Sequence, residues 1–384
     1  MKQRGIERLA FVWDSFGPYH LARVAEVRKR MAHCRVIGVE ISDANSTYAW
    51  QVQDRESVVS LFRGKTAEMV SPLQVFWKLF RLFRREKTAV AFLPGYWPLR
   101  SVACMAAAKV AGVRMVMMCD SHEGTNKAAG WKKRIKEWLI TRYDTGLVAG
   151  SRHVSFFSRL GLPEERLLTG YDVVDNSFYA RARQMGEKNP KRVRLLSVSR
   201  HVEKKSLHLL VEAVRRLVLE ESLPVQLVFV GDGPLNASLR EQCRSGGMDL
   251  REVTDLELPA DGDVCFCGFR QADENLHFYG AADAFVIPSS EEEWGLVVNE
   301  AMAAALPVVA SDAVGCVPDL VRDGETGLVF EAGNIDDLTS KLRSMVQDQE
   351  MRARLSEEAR RHMEEWGLGR FAGSVGKLVE ICAQ

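Results

Sequence analysis

The chain has 384 residues, which is enough for two domains of ordinary size. With 46% apolar and 27% charged residues, its composition is that of a soluble globular protein and excludes fibrous and disordered classes. The net charge of +1 gives no overall field that favours nucleic acid, so we expect no nucleic-acid partner.

The sequence predicts neither a secretory leader nor a membrane span. Its N-terminus lacks an apolar leader core, and no stretch approaches the roughly 18 apolar residues of a membrane span. The eight cysteines form no CxxC pair, so neither a zinc site nor a disulfide framework is predicted. We therefore expect a cytoplasmic protein in a reducing compartment.

Short apolar runs alternate with helical patterns through the first half of the chain. The runs predict strands at 8–13, 35–41, 88–95, 113–120 and 145–151. This alternation is typical of a parallel sheet with helices on both faces.

A polar stretch interrupts the pattern at 181–192, after which the pattern restarts. Further strands are predicted at 193–200, 225–234, 263–269, 283–289, 307–311 and 327–330. We predict an α/β chain of two Rossmann-like, doubly wound parallel-sheet domains facing a central cleft. The first covers 1–175 and the second 176–361, and a C-terminal helix at about 362–384 packs back on the first.

Charged residues follow two predicted strands of the second domain, where such sheets bind ligands. Arg200 follows one strand, with Lys204 and Lys205 just before a helix. After another strand, a helix opens near Trp294, and Gly295 permits close backbone approach. Two cations and the N-terminus of a helix favour a bound anion, so we predict a diphosphate held without a metal or cofactor.

Four segments of the second half resemble the donor domain of retaining GT-B glycosyltransferases of glycosyltransferase family 4, the glycosyl transferases group 1. They are "SRHVEKKSLHLLVEA", "VFVGDGP", "CFCGF" and "PSSEEEWGLVVNEAMAAALPVVASD". The resemblance covers about 170–335 and is loose before that. It implies a GT-B fold and a nucleotide-sugar donor.

The family carries two glutamates separated by seven residues, and Glu292 and Glu300 fit this pattern. The resemblance implies that Glu300 binds the ribose hydroxyls and Glu292 the transferred sugar. The burial of Glu300 would then be satisfied only by the ligand. The alternatives are an internal ion pair for Glu300 with an Arg or Lys, and a solvated loop position for Glu292. Glu291 and Glu293 are expected to be solvated flanking charges.

The resemblance also assigns the phosphate site. It implies that Arg200 and Lys205 bind the diphosphate and that the backbone near Phe269 contacts the base. The alternative for the two cations is a surface position at a helix start. Three backbone N–H groups would cap the phosphates, those of Gly295, Leu296 and Val297.

Three small residues replace glycines of the family pattern: Ser199, Ser206 and Ala305. Each adds only a small side chain, so we expect them to narrow the site without removing a charged role.

In the first half, the resemblance places Gly17 near the donor phosphates and His122 near the transferred sugar. The alternative for His122 is an ordinary loop histidine, and His20 is expected to be an ordinary residue at a helix start. A helix at 76–87 carries apolar and basic residues. It would suit an anionic membrane, or it packs on the core with a solvated basic face.

These observations predict a retaining, metal-independent glycosyltransferase. We expect a UDP-sugar donor first, with GDP- or ADP-sugar as alternatives. The acceptor would be a carbohydrate, a lipid-linked sugar or a small molecule, with peripheral membrane contact as an option. The rival interpretations are a GT-B sugar-nucleotide epimerase and a non-catalytic nucleotide-sugar-binding subunit. The sequence leaves the sugar, the acceptor and the oligomeric state open.

Overall fold

The computed structural model describes residues 6–44, 57–125 and 130–384. The chain divides into two compact units, one formed by Met1–Val174 with Gly367–Gln384 and the other by Asp175–Trp366.

The first unit is built on a parallel sheet that has seven strands within the described residues. In chain order the strands are β1 (Arg8–Trp13), β2 (Arg35–Ala44), β3 (Val58–Thr66), β4 (Val90–Pro94), β5 (Arg114–Cys119), β6 (Thr145–Val148) and β7 (Leu167–Thr169). The helices between them are α1 (Pro18–Arg30), α2 (Pro72–Glu86), α3 (Leu99–Ala111), α4 (Trp131–Ile140) and α5 (Ser151–Arg159). The spatial order is β3-β2-β1-β4-β5-β6-β7, so the winding reverses between β1 and β4.

The alternation of residues along β1 builds two separate cores. Ala10 and Val12 face one cluster of buried residues, and Phe11 faces the other. Successive side chains of a strand point to opposite faces of the sheet. A fully apolar strand therefore has to be covered by helices on both sides.

Helix α2 contains the apolar residues that suggested membrane contact. Leu79 and Phe83 are buried in the first unit's core, and Phe76 and Phe80 pack partly against it. Lys78 donates a hydrogen bond to the carbonyl oxygen of Leu61 at 2.5 Å. The apolar stripe thus packs on the core, as in the second interpretation of this helix, and membrane contact stays a prediction.

The second unit repeats the architecture, again with seven parallel strands among its residues. The strands are β8 (Val193–Val198), β9 (Val225–Val230), β10 (Leu250–Glu252), β11 (Val264–Phe266), β12 (Ala284–Ile287), β13 (Val308–Ser311) and β14 (Gly327–Phe330). Its helices are α6 (Asn176–Ala180), α7 (Leu207–Arg215), α8 (Asn236–Ser245), α9 (Ala272–Ala281), α10 (Leu296–Ala303), α11 (Val317–Leu320), α12 (Ile335–Gln347) and α13 (Gln349–Met363). The order β10-β11-β9-β8-β12-β13-β14 reverses between β8 and β12.

The last helix, α14 (Leu368–Ala383), belongs to the first unit, where it contacts α1, β6 and β7. Its apolar face buries Phe371, Val375 and Leu378 in one of the two cores of that unit.

The two sheets confirm the predicted α/β architecture of two Rossmann-like, doubly wound domains. Among the residues that the structure describes, no helix is long and apolar enough to cross a membrane. All eight cysteines are buried free thiols.

Candidate functional site

The candidate donor site lies where the strand order of the second unit reverses. Strands β8 and β12 are adjacent and parallel, with Leu195 opposite Ala284. Their carboxyl ends therefore meet at one edge of the sheet, which is where doubly wound sheets bind ligands. The loop after β8 carries Arg200 and Lys205, and the loop after β12 carries Glu292.

Two lysines and two glutamates connect these loops. Lys205 pairs with Glu292, and both side chains are only 12% exposed. Lys204 pairs with Glu293 at 3.0 Å. The backbone N–H of Ser290 also donates to the carbonyl of Lys204 at 2.9 Å, which ties the loops together. The side chain of Glu293, which we expected to be a solvated flanking charge, is 37% exposed and also has a cation from the neighbouring loop as its partner.

The second of these pairs keeps both of its members charged. Burial alone would raise the pKa of Glu293, but its hydrogen bond with Lys204 and the charge of that lysine outweigh this and lower the pKa. For Lys204, burial opposes the charge, yet the hydrogen bond and charge of Glu293 raise its pKa. The loop after β8 thus keeps a positive charge at Lys204, and the loop after β12 keeps a negative charge at Glu293.

Glu300 lies in the interior of α10 and is 1% exposed. The hydroxyl of Tyr279, from α9, donates a hydrogen bond to its Oε2 at 2.7 Å. We expected this carboxylate to be satisfied only by a ligand, and that expectation is wrong: Tyr279 is a partner within the protein. A phenol rather than an Arg or Lys makes this contact, so the carboxylate keeps its acceptor character toward a ligand.

The N-terminus of α10 presents backbone donors beside these charges. Gly295 precedes the helix with φ 97°, a left-handed conformation that favours glycine. Trp294 is buried and fixes the turn, because its Nε1 donates to Asn299 Oδ1 at 2.8 Å. Within the described part of the chain, the N–H groups of Gly295, Leu296 and Val297 have no hydrogen-bond acceptor. Such a helix start attracts anions.

Two further predicted residues lie on the surface of the same unit. Arg200 is exposed at the carboxyl end of β8. Phe269 is 43% exposed and follows β11, and the carbonyl of the preceding Gly268 accepts a hydrogen bond from the N–H of Gly231 at 2.8 Å. Their roles toward phosphate and base stay predictions.

Two of the three residues that replace family glycines have a strained backbone. Ser206 has φ 50° and Ala305 has φ 60°, both in the left-handed region that glycine occupies most easily. Ser199 is not among the residues with positive φ. The consequence of the Ser206 and Ala305 replacements is therefore local backbone strain, which the sequence comparison alone did not reveal.

In the first unit, Gly17 precedes α1 in a loop that is already hydrogen-bonded. Its N–H donates to His20 Nδ1 at 2.9 Å, and its carbonyl accepts from the N–H of His20 at 3.1 Å. The ring of His20 stacks on Trp13 at 4.5 Å. Burial, and then the charge of Arg23, lower the pKa of His20 to about 3, so the ring is neutral. His20 holds the loop, and contact of Gly17 with a donor stays a prediction.

His122 is buried after β5, with its ring 5.4 Å from that of His153 in a T-shaped contact. The backbone N–H of Gly124 donates to its Nδ1 at 3.1 Å. Since Nδ1 accepts a hydrogen bond, the neutral ring carries its proton on Nε2. The role of His122 toward the sugar stays a prediction.

The sequence did not identify Tyr279 or the pair formed by Lys204 and Glu293. Tyr279 reaches Glu300 from another helix, and no local spacing encodes such a contact. The two consecutive lysines and three consecutive glutamates did carry a signal, since runs of opposite charge in adjacent loops suggest mutual pairing. Among the described residues, no group of three or more His, Cys, Asp and Glu side chains is arranged to hold a metal ion.

Comparison with known proteins finds a similarity to one sequence family in the second unit. Residues 179–362 match the family model described as glycosyl transferases group 1. The sulfoquinovosyl transferase SQD2 of Arabidopsis thaliana is 34% identical over 180 residues, which are 46% of this chain and 31% of SQD2. The lipopolysaccharide core biosynthesis glycosyltransferase LpsE of Rhizobium meliloti is 34% identical over 164 residues, 42% of each chain. The chain thus matches less than half the length of these relatives.

A solved structure matches over nearly the whole chain. HepE of Anabaena, crystallised in complex with UDP, has a TM-score of 0.74 at 17% identity, covering 97% of this chain and 99% of HepE. This likeness shows the fold, that of the GT-B glycosyltransferases with two Rossmann-like domains. The family match covers the second unit, and the two relatives are named as transferases of sugars.

Proposed function

We propose that the protein is a retaining glycosyltransferase that takes a sugar from a nucleotide-diphosphate sugar, UDP-sugar first, and transfers it to an acceptor hydroxyl. One observation carries the proposal. The contacts join cations and carboxylates of two loops beside a helix N-terminus, where the strand order of the second unit reverses. The cations and the backbone N–H groups of the helix N-terminus suit a diphosphate. The carboxylates suit the hydroxyls of a ribose and a sugar.

The contact between Lys205 and Glu292 suggests how the donor would be received. A diphosphate carries more negative charge than one carboxylate and would compete for the Lys205 ammonium. Glu292, once displaced, would accept hydrogen bonds from hydroxyls of the transferred sugar. Exchange of one partner for another avoids leaving either buried charge alone, which would be costly.

Glu300 would accept hydrogen bonds from the two ribose hydroxyls while Tyr279 holds its Oε2. A carboxylate has about four lone-pair positions that can accept hydrogen bonds. The N–H groups of Gly295, Leu296 and Val297 would stabilise the phosphate charge that grows as the sugar leaves. Arg200 would add a further cation at the carboxyl end of β8.

The proposed reaction needs no protein nucleophile. The bond between the anomeric carbon and the phosphate oxygen breaks, and the acceptor oxygen bonds to that carbon on the same face. The acceptor proton passes to an oxygen of the departing nucleoside diphosphate. The protein then acts by positioning both substrates and by stabilising charge, with His122 as a donor to the sugar. No metal or cofactor takes part in this proposal.

UDP is the nucleotide we propose first, because HepE, which matches nearly the full chain, was crystallised with UDP. The proposal can be tested by incubating the purified chain in EDTA with UDP-glucose, UDP-galactose, UDP-N-acetylglucosamine, GDP-mannose and ADP-glucose. Proton NMR would identify the sugar that is released and its anomeric configuration. Slow donor hydrolysis that first releases the anomer of the donor's own configuration is the expected result.

Two variants make the test specific. Glu292→Gln should abolish this hydrolysis, whereas Glu291→Gln, on the same loop, should retain it. Appearance of a different nucleotide sugar would indicate an epimerase instead. Release of the opposite anomer would contradict retention. Activity that is lost in EDTA and restored by magnesium would contradict the metal-free site.

A further inference from the structure

A cavity of about 600 Å³ lies in the first unit, where β1, β4 and β5 end. It occupies the point where the strand order of this sheet reverses, between β1 and β4. Such a point is a common ligand site in doubly wound sheets. The lining includes Tyr96, Trp97 and Met118, so much of its wall is apolar.

A buried cation lines this cavity. Lys136, on α4, is 6% exposed. Its Nζ lies 5.1 Å from the ring centroid of Tyr96 and 4.6 Å from that of Phe156. Within 6–44, 57–125 and 130–384, no carboxylate pairs with this ammonium and no oxygen accepts a hydrogen bond from it.

Lys136 therefore lacks the anion that a buried lysine normally has. Burial lowers its pKa to about 8, as expected for an ammonium that has lost water without gaining a carboxylate. Two aromatic faces offset part of this loss. An anionic group entering the cavity would supply the missing partner.

The nearby carboxylate of Asp14 does not fill this role. It is held by Arg100, whose Nη2 donates to Asp14 Oδ2 at 2.7 Å and whose Nε lies 3.1 Å from both carboxylate oxygens. This bidentate pair neutralises Asp14 at the wall of the cavity. An incoming anion would therefore meet little net repulsion from that side.

The rim of the cavity exposes large apolar side chains. Trp97 is 72% exposed, Trp131 68% and Ile135 49%, and all three line the cavity. Apolar side chains around a buried polar group are typical of pockets for ligands that are part apolar and part charged.

We propose that this cavity binds an amphiphilic anion, with a phosphate or carboxylate group at Lys136 and an apolar part against Trp97, Trp131 and Ile135. To call this ligand the sugar acceptor rests on the proposed function, whereas the binding itself does not. The inference narrows the acceptor to a class, an anionic amphiphile rather than a neutral sugar.

The test is calorimetric titration of the full chain, without any nucleotide, with octyl phosphate below its micelle concentration. Octyl glucoside, which has the same chain but no anionic group, tests the need for the phosphate. Inorganic phosphate, which has no chain, tests the need for the apolar part. We expect saturable binding of octyl phosphate that is weakened about tenfold or more in Lys136→Met, which removes the charge and keeps the apolar stem. Lys133→Met, on the exposed side of the same helix, should bind as the wild type does.

Several outcomes would overturn the inference. Lys136→Met could bind octyl phosphate as tightly as the wild type, or Lys133→Met could lose as much affinity. Inorganic phosphate could bind as well as octyl phosphate, which would remove the apolar half of the proposal. UDP titration of the same samples reports on the second unit separately, so failure here and failure of the proposed function can be told apart.

A pH series provides a second test that does not depend on the folding of Lys136→Met. Between pH 7 and 9 the wild type should lose affinity for octyl phosphate as Lys136 loses its proton. Lys136→Arg, which stays protonated, should keep its affinity at pH 9. Equal pH dependence in both proteins would contradict the role of Lys136.

The other ionisable groups around the cavity do not mimic this response. Burial raises the pKa of Cys119 to about 12 and the pKa values of Tyr143 and Tyr171 still further above their usual range, so these groups stay neutral to pH 9. The charged groups that line or flank the cavity besides Lys136 are Asp14, Arg100, Asp120 and Lys132.

Discussion

The two units differ in how buried charged groups are partnered near the point where the strand order of each sheet reverses. In the second unit, Lys204 and Glu293 pair, and each holds the other's pKa on the charged side although burial opposes both. In the first unit, burial lowers the pKa of Lys136 to about 8 and that of His20 to about 3. Neither of these bases has a carboxylate partner among the described residues.

This difference separates two kinds of binding site. A site with internal ion pairs stays charged by itself and can exchange one partner for a ligand's phosphate. A site with a desolvated lysine such as Lys136 keeps its charge only below about pH 8 and gains most from a ligand that brings an anion. The same architecture, repeated in one chain, thus holds both arrangements of charge.

The largest expected effect is on turnover, when the pair of Lys205 and Glu292 in the second unit is broken. Lys205→Ala should lower turnover of the donor by about 100-fold or more, because a cation at the leaving group is removed. Lys204→Ala, whose partner is Glu293, should lower it by about tenfold or less. Initial rates at saturating donor, together with the unfolding temperature of each variant, measure this contrast. Equal losses in the two variants would break the distinction between the pairs.

The acid sensitivity of the first unit is the next effect. His20 is neutral in the folded protein, with a pKa of about 3 against 6.5 for an ordinary histidine. Protons therefore bind preferentially to the unfolded chain, and stability is lost as pH falls below 6.5. Between pH 6.5 and 5 the loss should be about 2 kcal/mol.

His20→Asn removes this titration while leaving an oxygen to accept the N–H of Gly17. Urea-induced unfolding at a series of pH values should show a shallower decline for the variant than for the wild type. Parallel curves would mean that His20 contributes no such linkage.

A smaller effect is expected from the partner of Glu300. Tyr279→Phe removes one hydrogen bond of 2.7 Å and keeps the ring, so UDP should bind about three- to tenfold more weakly. Tyr143→Phe is the matched control in the first unit, since it removes a buried phenol that donates to the Gly95 carbonyl. Calorimetric titration with UDP should distinguish the two, and a larger loss in Tyr143→Phe would contradict the assignment of the donor site.

The smallest expected effect is on stability, at Ala305, where an alanine replaces a glycine of the family pattern in a left-handed backbone conformation. Ala305→Gly should stabilise the second unit by about 0.5–1 kcal/mol, because φ 60° is strained for alanine. Ala304→Gly, at φ −75°, should destabilise it by about 1 kcal/mol. Urea unfolding of both variants provides the comparison. Stabilisation by both, or by neither, would show that left-handed strain is not the cause.

The sequence predicted the central strands of both sheets and missed three strands at sheet edges. Strands such as β1, β9 and β12 are apolar except for Arg8 and Gln226, because helices cover both of their faces. The missed strands β3, β7 and β10 each pair on one side only, and they are polar or three residues long. Edge strands carry weak patterns because less of each strand is buried.

Within the candidate site, the sequence located the loops but not the contacts between them. Glu292, Glu300 and Lys205 were predicted from family spacing. The structure places the loops of Lys205 and Glu292 at one edge of one sheet, and Glu300 in the helix that follows the second loop. The hydrogen bond from Tyr279 to Glu300 and the burial of Lys136 depend on packing between elements far apart in sequence. The periodicity of apolar residues indicates which face of a helix or strand is buried, but not which side chains of other elements contact that face.

The central claim is that the second unit binds a nucleotide through the ribose at Glu300. The most direct measurement is calorimetric titration in EDTA of the wild type, Glu300→Gln and Glu291→Gln with UDP. Glu300→Gln can still accept the hydrogen bond from Tyr279 but loses the negative charge. We predict that UDP binds the wild type and Glu291→Gln alike and binds Glu300→Gln about 10- to 100-fold more weakly. Equal affinity of UDP for all three proteins would contradict the ribose role of Glu300 and, with it, the proposed donor site.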